Sequence, residues 1–301
     1  MGHDHGHVDL RAGARHAGRL WWSFGLVTGF LVVQVVVGLA ANSLALLSDA
    51  GHMATDALGL GMALAAITAA SRANQAQHRT FGLYRLEILA ALANAMLLFG
   101  VAGYVLVEAA RRLDDPPEVA SVAVLFVGVV GLAVNVVAFA LLRQGAKESL
   151  NVRGAYFEVV ADTLGSIGVI VAAAVMWVTG WGWVDPVIGA GIGLFILPRA
   201  WRLGRDALRI LVQAAPESVD LPAIAAALTA IDGVADVHDL HVWTLTSEMD
   251  VLTAHLGIAG GADSQKVLQS ARAVLGERFH LSHATLQVET AGNHDCQEMT
   301  W

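Results

Sequence analysis

The chemically active residues of this chain are five titratable side chains set in two otherwise apolar segments, Leu46–Leu60 and Ala155–Ile170: Asp49, His52, Asp56, Glu158 and Asp162. One ionised acid at the centre of a membrane helix costs about 2.5–3.5 kcal/mol. Five such groups at similar depth need a compensating partner, and a bound cation is the simplest one. The pattern therefore predicts a metal site in the middle of a bilayer.

Two of the spacings define the geometry of this site. His52 and Asp56 are four residues apart, and so are Glu158 and Asp162, so each pair projects from one face of a helix. Two helices that cross at these faces present one imidazole and three carboxylates to a common point. Zinc takes four such ligands in a tetrahedron. The mixed nitrogen and oxygen donors suit zinc, cobalt or cadmium better than copper(I).

Asp49 has two interpretations that the sequence leaves open. It precedes His52 by three residues on much the same helix face, nearer the start of the helix. We expect it either to line the exit path of the ion or to be a structural partner of a neighbouring helix.

The composition predicts a membrane protein. Of 301 residues, 56% are hydrophobic and 15% are charged, against about 25% charged residues in a typical soluble domain. A bilayer core about 30 Å thick needs about 20 helical residues. Six segments are long enough, and no cleavable signal peptide is expected before them: 20–41, 44–70, 86–110, 119–142, 152–178 and 183–200.

Lysine and arginine predict the orientation of these six helices. Thirteen of them lie before the first helix, at or after the end of the sixth, or in and beside the loops after helices two and four. The opposite side holds only Arg111 and Arg112. Both termini are therefore expected in the cytoplasm, with the protein in the inner (cytoplasmic) membrane.

A small α+β domain is predicted after about residue 210, where the apolar runs stop. The order is helix, strand, strand, helix, strand, with two helices covering one face of the sheet: Val219–Ile231, Val237–Thr246, Met249–Ile258, Asp263–Phe279 and Ala284–Glu289. Cys296 is the only cysteine, which excludes an intrachain disulfide and a cysteine-based zinc site.

Four motifs resemble one family, the cation diffusion facilitators. Leu46–Asp56 is similar to the second helix of that family, Arg79–Leu89 to the start of its third helix, Asn151–Gly168 to its fifth helix, and His238–Trp243 to its cytoplasmic domain. The resemblance implies a homodimer of six-helix protomers, a ferredoxin-like cytoplasmic domain, and export of zinc and related divalent ions in exchange for protons.

One position departs from the pattern of many zinc exporters. Their fifth helix reads His-x-x-x-Asp, whereas this chain has Glu158 and Asp162. The resemblance is closer to the bacterial cobalt–zinc–cadmium resistance branch. The oxygen-rich set leaves zinc, cobalt, cadmium, manganese and iron(II) all open as substrates.

Proton exchange follows from the ligand chemistry. Carboxylates and imidazole must lose protons to hold a metal, so binding releases protons and metal release favours reprotonation. Imidazole has an unperturbed pKa of about 6.5, nearest to physiological pH. We expect His52 and Asp162 to couple protons, with alternating access around the midplane site.

Other function classes are weaker. A membrane-embedded zinc enzyme needs an open coordination position and a motif such as His-Glu-x-x-His, which the sequence lacks. A metal-sensing receptor would explain the cytoplasmic histidines but not a site in the bilayer. No Walker motif supports ATP-driven pumping, and no feature indicates nucleic-acid binding.

The cytoplasmic domain offers a second candidate site. By resemblance, His238, His255 and Glu289 match positions where family members bind a regulatory zinc. The histidines expected not to be primary ligands are His241, His280 and His283. Gln265 and Gln287 stand where further histidines would be expected, which favours one ion over two.

The two tails complete the predicted organisation. The N-terminal tail, residues 1–18, carries a metal-binding tract at His3, His5 and His7. We expect the transmembrane domain over 19–209, the cytoplasmic domain over 210–291 and a C-terminal tail over 292–301. The weakest metal-binding candidates are His78, His294 and Cys296.

Overall fold

The computed structural model describes residues 8–72, 84–142, 150–246 and 249–290. Within these ranges, side chains are described except at 8–20, 23, 56, 59–60, 62–72, 84, 141–142, 150–158, 161 and 246. By Cα proximity the chain divides into two units: Met1–Gly82 with Ala90–Gly204, and Leu83–Leu89 with Arg205–Trp301.

Six long helices run through the first part of the described chain, which confirms the predicted six-helix domain: α1 (Val8–Ala40), α2 (Leu44–Arg72), α3 (Tyr84–Asp114), α4 (Ser121–Leu142), α5 (Leu150–Thr179) and α6 (Val184–Leu211). Among the described residues, four segments are long and apolar enough to span a membrane: Arg85–Asp114, Ser121–Ala140, Asp162–Thr179 and Val184–Leu211. Helix α1 contributes the shorter apolar segment Phe24–Ala40.

The outside of these helices is apolar, as a lipid-facing surface requires. Trp22, Phe126 and Val178 are each at least 70% exposed. The polar side chains are on the inside instead, and Gln34 and Asp49 are among the most buried residues. This inversion of the soluble pattern places the titratable groups away from lipid.

Helix α2 packs against both α1 and α5, and α4 packs against α1 and α5. A core of Phe30, Leu46, Met53, Val127 and Val169 joins the four helices. Small residues let them approach closely: an added Cβ at Gly131 would lie 2.7 Å from the Phe30 ring. The two helices that carry the predicted ligands are thus held face to face.

The second part of the described chain is a small α+β unit, as predicted: α7 (Leu221–Thr229), β1 (Val234–Thr246), β2 (Met249–Ile258), α8 (Ser264–Phe279) and β3 (His283–Thr290). Strand β2 is central, antiparallel to β1 and parallel to β3. Asp220 and Asp263 cap the two helices by accepting backbone N–H bonds. Ile224, Leu252, Leu256 and Leu275 fill the core between helices and sheet.

Candidate metal sites

For the predicted transport site, the structure describes the side chain of one residue on each of two helices. His52 of α2 and Asp162 of α5 are both about 95% buried. The His52 Nε2 atom lies 3.6 Å from Asp162 Oδ1. Two of the four predicted ligands, 110 residues apart in sequence, therefore meet in the interior of the helical unit.

The other two predicted ligands, Asp56 and Glu158, belong to α2 and α5, but their side chains lie outside the described residues. Their backbone positions follow from the helices. Asp56 is one turn beyond His52, and Glu158 is one turn before Asp162. Because α2 and α5 run in opposite directions at this crossing, both positions fall on the same side of the His52–Asp162 pair.

Asp49 occupies the next turn on the opposite side of that pair. Its Oδ2 atom accepts a hydrogen bond of 2.6 Å from Gln34 Nε2 of α1. Its Oδ1 atom faces α5, where a Cβ added at Gly165 would lie only 2.6 Å away. Asp49 thus bridges α1, α2 and α5.

Gln34 was not among the sequence predictions. The sequence did carry a signal for this residue, because Gln34 is the only amide or acid side chain between Leu20 and Ala41. A polar side chain alone in an apolar helix faces inward when it has a partner, and that partner is Asp49.

Asp185 is a second buried polar residue that was not among the sequence predictions. It opens α6, is fully buried, and caps the start of α2. Ser43 Oγ donates to Asp185 Oδ1 at 2.6 Å, and the Leu44 backbone N–H donates to Oδ2 at 2.6 Å. The carboxylate thereby holds the first turn of the helix that carries His52.

A cavity of about 530 Å³ reaches the candidate transport site within the helical unit. His52 lines it, and the other described lining residues all come from α6: Gly191, Leu194, Phe195, Ile196, Pro198, Arg199 and Arg202. His52 therefore lies at the wall of a cavity whose other described lining residues belong to α6.

The second candidate site lies on the three-stranded sheet. His238, His255 and Glu289 each offer a ligand atom, and these atoms all lie within 4.8 Å of one another. His255 Nδ1 is 3.0 Å from Glu289 Oε1, and His238 Nε2 is 3.7 Å from Glu289 Oε2. The three residues predicted together are brought together.

Strand register explains this proximity. His238 of β1 is paired directly with His255 of β2, and β3 continues the sheet on the other side of β2. Glu289 pairs with Gly257, which has no side chain and lies two residues along β2 from His255. Since alternate residues share a face, the three side chains project from one side of the sheet.

The remaining described histidines of the α+β unit lie outside this group of three. His241 is exposed and bonds Asp239, His280 ends α8 with a left-handed backbone, and His283 begins β3 in an exposed position. Gln287, beside His255 in the register, donates to Glu289 Oε1 at 2.7 Å. The other tail and loop candidates lie outside the described residues: His3, His5, His7, His78, His294 and Cys296.

Two family models match the chain along most of its length. The cation efflux transmembrane domain matches residues 20–212, and the cytoplasmic domain of cation efflux proteins matches residues 216–291. The chain belongs to the cation efflux family. It is a multi-pass membrane transporter of divalent metal cations and not an enzyme, which removes the membrane-embedded zinc enzyme from the alternatives.

Curated relatives agree with this assignment. The metal cation efflux system protein CzcD of Cupriavidus metallidurans is 45% identical over 89% of this chain and 85% of its own. The cadmium, cobalt and zinc/H⁺–K⁺ antiporter of Bacillus velezensis is 37% identical over 100% of this chain and 97% of its own. The zinc transporter ZitB of Escherichia coli is 37% identical over 98% of this chain and 96% of its own.

Among solved structures, the metal-bound C-terminal domain of the CzcD transporter is similar. It is 35% identical, covers 24% of this chain and 99% of that domain, and has a TM-score of 0.23.

Proposed function

We propose that this transporter exports divalent cations from the cytoplasm in exchange for protons. Zinc is the main substrate, and cobalt and cadmium are carried as well. The observation that carries this proposal is the buried contact of His52 Nε2 with Asp162 Oδ1 at 3.6 Å. The names of two relatives support it, since one is a cadmium, cobalt and zinc/H⁺–K⁺ antiporter and the other is a zinc transporter.

The cation is bound by His52, Asp56, Glu158 and Asp162 near the middle of the bilayer. An imidazole and three carboxylates give the mixed donor set that zinc accepts in a tetrahedron. Manganese and iron(II) are the second candidate substrates, because three of the four ligands are carboxylates and hard oxygen donors suit these ions.

The same residues couple transport to protons. Each ligand must be deprotonated to hold the metal, so a cation and protons compete for one site. His52 and Asp162 exchange the protons, and alternating access exposes the site first to the cytoplasm and then to the outside.

The protein functions as a homodimer in the inner membrane with both termini in the cytoplasm. The matched cytoplasmic domain and the thirteen-to-two distribution of lysine and arginine support this arrangement. His238, His255 and Glu289 bind one regulatory ion in each protomer. The N-terminal histidine tract captures metal for delivery.

The test is metal uptake into proteoliposomes with an imposed proton gradient, acidic inside. Zinc, cobalt, cadmium and manganese are compared for the unmodified protein, Asp162→Ala, and Asp114→Ala as a control. Asp114 is an exposed acid at the end of α3. We expect gradient-dependent zinc uptake that Asp162→Ala abolishes and Asp114→Ala retains. Uptake that does not depend on the gradient would contradict antiport. Normal uptake by Asp162→Ala would contradict the assignment of Asp162 to the transport site.

A further inference from the structure

Each histidine of the cytoplasmic site contacts a second carboxylate on the ring nitrogen that faces away from Glu289. His238 has Glu289 on Nε2, and its Nδ1 is 2.8 Å from Asp236 Oδ2. His255 has Glu289 on Nδ1, and its Nε2 is 3.7 Å from Asp239 Oδ2. Each imidazole thus lies between two acids, through a hydrogen bond with Asp236 at His238 and through the longer ion-pair contact with Asp239 at His255.

This arrangement is the one that metal-bound histidines use. A ligating imidazole donates its other N–H to a carboxylate or carbonyl, which fixes the ring orientation and tautomer and makes the ligand nitrogen more basic. Asp236 occupies that outer position at His238 with a hydrogen bond of 2.8 Å, and Asp239 Oδ2 lies 3.7 Å from His255 Nε2. Neither is in the group of three that could ligate the ion.

The backbone at Asp239 is an independent sign of a role for its side chain. His238 pairs with His255 and His241 pairs with Thr253, so β1 has one more residue than β2 over this segment and forms a bulge. Asp239 lies in the bulge with φ 51°, in the left-handed region that glycine adopts without cost. Its carboxylate also accepts from His241 Nε2 at 2.9 Å.

We propose that Asp236 and Asp239 are positioning residues of the cytoplasmic metal site, and that the bulge exists to aim Asp239 at His255. This proposal rests on the regulatory site proposed above. Asp236 directs the His238 Nε2 lone pair at the ion, and Asp239 directs that of His255 Nδ1. Both carboxylates offset the charge that the imidazoles gain when they bind a divalent cation.

The test measures zinc affinity of the full-length protein by competition with a chelating dye. All variants carry Asp162→Ala and alanine at His3, His5 and His7, so that the transport site and the tail do not bind. We expect Asp236→Asn and Asp239→Asn each to weaken zinc binding by about 10- to 100-fold. Asp232→Asn, an exposed acid in the turn before β1, is the matched control and should leave affinity unchanged.

Asp239→Gly separates positioning from folding. Glycine relieves the left-handed backbone, so this variant should unfold at a higher temperature without metal while it binds zinc as weakly as Asp239→Asn. When cobalt replaces zinc at the site, the visible spectrum of Asp239→Gly should differ from that of its parent with Asp239 intact, because one ligand ring is no longer fixed.

The variant Glu289→Ala distinguishes failure of the regulatory site from failure of the positioning role. If Glu289→Ala binds zinc as tightly as its parent, the regulatory site itself is wrong. If Glu289→Ala loses binding but the Asp236 and Asp239 variants keep full affinity, the site stands and the positioning role is wrong.

Discussion

At the scale of single residues, the interior of the helical unit is organised in layers one turn apart. His52 and Asp162 form one layer, and Asp49 with Gln34 forms the next. A buried acid is stable only when its oxygens have partners. The Gln34 amide supplies one from a third helix, so Asp49 has a structural contact as well as a position beside the proposed transport site.

Replacing Gln34 tests the strength of this contact. Gln34→Leu removes the donor to a buried carboxylate, and we expect a loss of about 1–3 kcal/mol in stability, measured by thermal unfolding in detergent. Thr28→Val is the control on the same helix, because Thr28 Oγ1 is buried and has no hydrogen-bond partner among the described residues. Its replacement should be neutral, and an equal loss in both variants would contradict the specific contact.

Gly165 is the residue that makes room for Asp49. An added Cβ would lie 2.6 Å from Asp49 Oδ1, which is closer than two non-bonded atoms allow. Gly165→Ala should therefore push α5 away from α2 and reduce zinc uptake by proteoliposomes at least tenfold.

Gly168→Ala, one turn further along α5, is the matched control. There the nearest described atom would be Ile188 Cγ2 at 4.0 Å, an ordinary contact. Uptake should stay close to that of the unmodified protein, and an equal defect at both positions would indicate general helix destabilisation instead.

At the scale of elements, the important joint is between α6 and α2. A helix leaves its first backbone N–H groups without internal partners. Asp185 of α6 satisfies two of them, at Leu44 and Ala45, and also accepts from Ser43 Oγ. The helix that carries His52 is therefore fixed at its first turn by a residue 141 positions away from Leu44.

Asp185→Ala should weaken this joint. Loss of a cap costs about 0.5–2 kcal/mol, and three buried donors lose their acceptor together: Ser43 Oγ and the backbone N–H groups of Leu44 and Ala45. We expect a lower unfolding temperature in detergent and slower zinc uptake, because α2 is no longer held in position. Asp115→Ala, an exposed acid between α3 and α4, should change neither quantity; a matching decrease there would contradict the capping role.

At the scale of the whole molecule, the chain combines an apolar helical unit with a small α+β unit. In the helical unit many large apolar side chains face outward, whereas the acids Asp49, Asp162 and Asp185 are buried. The α+β unit follows the soluble pattern, with its leucines between helices and sheet. The surface of the helical unit therefore suits lipid, and that of the α+β unit suits water.

The orientation in the membrane is open to a direct test. Cys296 is the only cysteine, so a membrane-impermeant maleimide reports on one position. In the proposed orientation it labels Cys296 in inside-out vesicles and not in right-side-out vesicles. In the variant Cys296→Ser with Asp115→Cys, the labelling pattern should be reversed. Labelling of Cys296 from the outer side would contradict the cytoplasmic location of the C-terminus.

The sequence was sufficient for the fold, because the fold follows from local patterns, whereas the site residues that it indicates stay a prediction. Helix length and apolar content identified the six helices, and alternation identified the three strands to within three residues at each end. The spacing of His52 from Asp56 and of Glu158 from Asp162 fixed which side chains share a helix face, since that follows from 3.6 residues per turn.

Only the tertiary structure decided which faces meet. Gln34 with Asp49, Asp185 with the start of α2, and Asp239 with His255 are contacts between elements, and no periodicity within one element encodes them. The Asp239 bulge adds one residue to β1, which turns a carboxylate toward His255 against the alternation of the strand. Such contacts depend on how two elements pack against each other. The sequence of either element alone does not determine that packing.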